Sequence, residues 1–151
     1  MGILPSLLPG LQEQINNITS ETSSTVEKLG RCFLFDFEKE EYVIKDGKLV
    51  EIANDTEKVK QWVKLVLRTY KDKYKVYKDT NFYCNTEDLR GTKLNGFVKS
   101  EIAREITESL LTHRYIKKVS GFSFIQERLK ITVNFNVTLI DGTTFSESEV
   151  F

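Results

Sequence analysis

From Leu129 to Leu139 every second residue is apolar: Leu129, Ile131, Val133, Phe135, Val137 and Leu139 alternate with Lys130, Thr132, Asn134, Asn136 and Thr138. That period of two predicts a long strand with one buried and one polar face. Asp141-Gly142 follows as a turn, and Thr143-Thr144-Phe145 opens a last strand. Glu147–Phe151 is too short to form an element of its own. Before this hairpin, Lys117-Lys118-Val119 and Phe122-Ser123-Phe124 read as strand. A second alternation lies upstream, where Phe33, Phe35 and Phe37 are spaced by Leu34, Asp36 and Glu38. Asp46-Gly47, between Tyr42-Val43-Ile44 and Leu49-Val50, predicts a tight hairpin, because both residues tolerate positive φ.

Two stretches carry the helical period instead. Val59, Trp62, Val63, Val66, Leu67 and Tyr70 form one apolar stripe over Asn54–Tyr70, with Asn54 and Glu57 placed as a capping box. Val98, Ile102, Ile106 and Leu110, beside Ala103 and Leu111, mark a helix from about Phe97 to Thr112. Tyr74–Tyr77 reads as a short strand, and Asp79–Gly96 as a turn-rich loop. Strands segregate from helices, so the class is α+β with mainly antiparallel pairing. Residues 1–25 stand apart. Leu11, Ile15 and Ile18 suggest a short amphipathic helix after Pro9, and Thr19–Thr25 a polar linker, leaving residues 26–151 as the single folded domain.

Composition then removes chemistries. The 22 Lys+Arg and 22 Asp+Glu balance to a net charge of +0, which supplies no field for nucleic acid or an anionic membrane. No apolar run approaches the roughly 18 residues of a membrane helix. One histidine and two cysteines are too few for a disulfide framework or a closed Cys/His zinc site. Cys32 and Cys84 sit among aromatics and read as small hydrophobes. Glu38, Glu40 and Glu41 cluster, as do Glu147 and Glu149, but their charged and polar flanks read as a solvated face, not a raised general acid. Arg90–Gly96 lacks the Gly-Lys-Ser/Thr ending of a phosphate loop. The Met1–Ser6 myristoylation pattern and the sequons at Asn17, Asn54 and Asn136 read as chance matches. No catalytic residue, cofactor or metal is expected.

Thr112-His113-Arg114-Tyr115 lies at the junction of the second helix and the final sheet. Cations there suit the helix C-terminal end, and Arg114 can also act as a fixed bidentate donor to a carboxylate. Both readings stay open from the residues alone.

The order of these signals resembles the baseplate wedge proteins of contractile phage tails, the family named for the phage baseplate assembly protein W, and within it the XkdS-like branch of prophage and tail-like bacteriocin particles. The resemblance rests on Ile3-Leu4-Pro5, on Phe35-Asp36-Phe37 followed by Lys45-Asp46-Gly47, on the helix Val59–Thr69 leading into Tyr74–Tyr77, and on Leu110–Ile116 followed by the strands ending in Asp141-Gly142. It covers roughly residues 30–145. It implies a structural protein, assembled in the bacterial cytoplasm, that sits in the baseplate, binds the wedge core bundle and anchors the first ring of tail sheath, with hub or spike proteins as further neighbours. Many members carry Glu-Pro-Arg after the second helix. The matching positions here are Thr112, His113 and Arg114, so only Arg114 carries over, and its replacement by Ala is expected to block wedge assembly with little change in melting temperature.

Strand addition needs a sheet edge with free backbone groups, and the segment Thr143–Phe151 can supply or receive one. The expected protein-contact residues are therefore His113, Arg114, Tyr115, Thr143, Phe145, Val150 and Phe151. Deleting Ser146–Phe151 is expected to leave a folded domain whose particles lack sheath. The competing classes are a regulatory or adaptor module of the same fold and, third, a small glycoside hydrolase using paired Glu.

Overall fold

A computed structural model of the protein describes residues 28–71 and 73–151. The expected arm, its helix and the linker through Thr25 lie outside the described residues. Arg31–Phe151 forms one compact unit.

Its framework is an α+β arrangement of two helices and antiparallel sheets. The first alternation, Phe33–Phe37, becomes a small ribbon, not one strand. β1 (Phe35–Asp36) pairs with β2 (Glu41–Tyr42), and β3 (Ile44–Lys45) with β4 (Lys48–Leu49). Asp46 (φ 52°) and Gly47 (φ 73°) form the turn between β3 and β4, both in the left-handed region that Asp-Gly favours. Asp36 caps the bend after β1, accepting bonds from the Glu38 and Lys39 N–H groups.

Helix α1 (Asp55–Leu67) starts at Asn54, whose side chain accepts from the Thr56 N–H at 2.8 Å. Glu57 pairs with Lys60 at 2.9 Å instead of completing the expected box. Val59, Val63, Val66 and Leu67 are buried, but so is Gln61, a polar residue beside the stripe. Its Nε2 donates to the Phe33 carbonyl at 2.8 Å, and its Oε1 accepts from the Phe35 N–H at 2.8 Å. One amide thus fastens the ribbon to α1. Replacing Gln61 with Leu keeps the volume but leaves both strand groups without their partner. The expected loss is about 1–3 kcal/mol, read as a lower urea midpoint at unchanged slope.

The Tyr74–Tyr77 strand is not formed. Lys75–Tyr77 is a 3-10 turn with Val76 84% exposed, and among the described residues no strand lies alongside to satisfy its backbone. The loop through Asn95 is irregular apart from a 3-10 turn at Glu87–Leu89. Cys84, expected in or near a strand, is buried in that loop, its N–H bonded to the Thr69 carbonyl. Helix α2 (Gly96–Leu111) starts from an Asn95 cap and buries Val98, Ile102, Ile106 and Leu110.

The main sheet has the order β5-β6-β7, with β5 Ile116–Glu127, β6 Lys130–Leu139 and β7 Thr144–Val150. The two expected pieces before β6 are one strand, β5, broken by a register shift between Ser120 and Ser123. Gly121 sits there at φ +68°, and a Cβ would lie 2.7 Å from Asn136 Nδ2, so any larger residue at this bulge is strained and displaces the Asn136 side chain. The inner face of β6 (Ile131, Val133, Phe135, Val137, Leu139) is buried throughout, as its alternation predicts.

Candidate protein-interaction sites

Two surfaces gather the expected contact residues. The first is the junction of α2 and β5. The end of α2 leaves His113 half-buried, its ring 4.5 Å from that of Trp62 on α1. Trp62 also meets Phe82 edge-on, and Phe82 lies against Tyr77, which meets Tyr74. The result is an aromatic wall beside a groove of about 560 Å³, lined also by Phe37, Arg68 and Lys73. Arg114, the next residue after His113, is exposed, whereas Tyr115 is 7% exposed and packs into the core. Sequence reasoning does not find Trp62 as the ring partner of His113, nor the row Phe82, Tyr77 and Tyr74 that continues from it. Trp62 read as part of a buried stripe, and the two tyrosines as strand.

His113 Nδ1 accepts the Tyr115 N–H at 3.1 Å, which requires a lone pair there and places any ring proton on Nε2. Burial, then the Arg114 charge, hold the imidazole below its usual value of 6.5. The folded state therefore binds fewer protons than the unfolded one. This contribution to stability is complete above pH 6.5 and declines as pH falls below it. Glu147, whose pKa burial raises, acts with the opposite sign. A His113→Phe variant should thus lose less melting temperature than the parent between neutral pH and pH below 6.5, by differential scanning calorimetry.

The second surface is the edge of the main sheet. Ile131 and Phe151 exchange both backbone bonds, at 3.0 and 2.9 Å. Pairing alternates from there, so Glu149, Glu147 and Phe145 bond toward Val133, Phe135 and Val137. The N–H and C=O groups of Thr144, Ser146, Ser148 and Val150 then point away from β6. Among the described residues no strand pairs with them. β7 has no register shift, no proline and no lysine. The opposite edge, β5, carries Lys117, Lys118 and the Gly121 bulge, features that discourage pairing. Gln126 of β5 is also tied to the loop before α2, bonding Thr92 and Leu94.

Of the expected contact residues in this segment, Phe145 (9%) and Phe151 (6%) have their rings in this chain's own core, because odd positions of β7 face the helices. Thr143 and Val150 are exposed. Glu147 and Glu149, read as a solvated pair, also face inward. Glu149 bonds Arg68 at 3.2 Å, and Arg68 lies over the Phe37 ring. Glu147 borders a groove of about 350 Å³ between β7, α1 and the ribbon, lined by Leu34, Phe35, Val50 and Lys64. One raised carboxyl does not make a hydrolytic pair, since the neighbouring Glu57 and Glu149 are both held by cations.

Among the described residues no group of His, Cys, Asp and Glu is placed to hold a metal ion, and no helix is long and apolar enough to cross a membrane. Comparison with protein families matches residues 31–142 to the contractile injection system sheath initiator model. No curated protein matches the chain.

Proposed function

This chain belongs to the contractile injection system sheath initiator family, and we propose that it starts the sheath by receiving a strand of the first sheath ring on the open edge of β7. Membership makes it a structural component of sheath initiation. The observation that carries the finer reading is the contrast between the two edges of one sheet. β5 is bulged, lysine-bearing and tied to a loop, while β7 offers a regular row of outward backbone groups. A strand added there gains main-chain bonds without disturbing the core.

The junction surface supplies the second contact in this reading. Arg114, with His113 and the aromatic wall from Trp62 to Tyr74, faces other baseplate wedge proteins, and Arg114 meets a carboxylate of that neighbour. The particle is then a phage tail or a tail-like bacteriocin, as the resemblance to the W-type and XkdS-like proteins implies, with hub or spike proteins beyond the wedge. The edge itself is tested by amide hydrogen exchange. Amides of Ser146, Ser148 and Val150 should exchange fast in the isolated protein and become protected when purified sheath protein of the same particle is added. Unchanged exchange in a complex that has formed contradicts the reading.

A further inference from the structure

An open sheet edge pairs with any strand of compatible shape, including its own copy. This edge carries a feature that decides between them. Glu147 points to the inner face, where a neighbouring strand would lay its side chains, and burial has begun to penalise its charge. Among the described residues its carboxylate makes no hydrogen bond. The Lys64 and Lys60 charges act on it through space and offset part of that penalty, while Lys60 bonds Glu57 at 2.9 Å. Glu147 thus keeps a partly screened carboxylate with unfilled hydrogen-bonding capacity at the edge.

Consider a second copy pairing its β7 antiparallel across the gap. The register centred on Glu147 sets Glu147 against Glu147. The register centred on Ser148 sets Glu147 against Glu149 twice, and that centred on Ser146 sets Glu147 against Phe145. Like charges directly opposite destabilise a pair, and a carboxylate pressed on a ring loses its water. A strand with a basic residue at that place meets the reverse situation.

We infer that Glu147 is the specificity-determining residue of the β7 edge, keeping copies of this chain apart and admitting a partner strand that carries Lys or Arg opposite it. The inference rests on the edge being the strand-receiving site. The outer face adds a second element. Ile125, Thr132 and Val150 lie in one cross-strand row, with Ile125 52% and Val150 49% exposed. The partner strand extends that row with an apolar residue. It is three positions from the basic one, as Val150 is from Glu147, and on the opposite face.

Two measurements separate this inference from its premise. The first is sedimentation of the full chain over the micromolar range. The parent should sediment as one chain, Glu147→Val as two or more, and Glu147→Val with Ser148→Pro as one chain again, since proline removes an outward donor. A self-associating parent, a monomeric Glu147→Val that melts normally, or an oligomer that survives Ser148→Pro overturns the inference. The second is capture of purified sheath protein of the same particle. Glu147→Lys, which turns attraction into repulsion, should weaken capture by on the order of tenfold, and Glu147→Gln by less. Equal capture by the parent and Glu147→Lys overturns the selectivity. A parent that captures no sheath sinks the premise, whatever sedimentation shows.

Discussion

A chain ending at Phe145 should fail to fold. Removing Ser146–Phe151 strips the ring of Phe151 from the core and takes three hydrogen-bonded pairs from the β6–β7 ladder, Ile131 with Phe151, Val133 with Glu149 and Phe135 with Glu147. The Arg68–Glu149 pair goes with them. A lost buried Phe costs about 3–5 kcal/mol, and each lost backbone bond about 1 kcal/mol. The total is on the order of 10 kcal/mol, comparable to the whole stability of a small domain. The truncated chain should show no cooperative melt in near-ultraviolet circular dichroism. A sharp melt close to the parent's would mean that β7 is dispensable to the fold. This reverses the expectation from sequence that the segment is a removable appendage, and any sheath defect in such a truncation would report unfolding.

The second large effect is functional and leaves the fold in place. The Ser148 N–H points away from β6 and its side chain is on the exposed face. Proline there removes no ladder bond and fills no core space. It deletes one outward donor and sets a ring in the path of an added strand. Ser148→Pro should melt within a few degrees of the parent, yet assemble baseplates that recruit no sheath.

Much of the framework was readable from periodicity. β6 and the buried positions of both helices follow from the spacing of their apolar residues, and Asp46-Gly47 forms the turn its chemistry predicts. Pieces failed where the decisive partner was distant. Tyr74–Tyr77 has strand-like residues but, among the described residues, no strand to pair with. Gln61 gave no signal, because its role is set by two backbone groups some 26–28 residues away. The inward turn of Glu147 and Glu149 follows from β7 continuing the alternation of Phe145, but acidic residues at a chain's polar end read first as surface. The junction around His113 was legible in part. Its position at the helix–sheet boundary is sequential information, while its edge-on contact with Trp62, and that of Trp62 with Phe82, is tertiary.

The central claim, that the β7 edge receives the sheath, is tested most directly by electron microscopy of particles carrying Ser148→Pro at parental abundance of this chain. The account predicts baseplates and tail tubes with no sheath attached. Particles sheathed as fully as the parent's would contradict it.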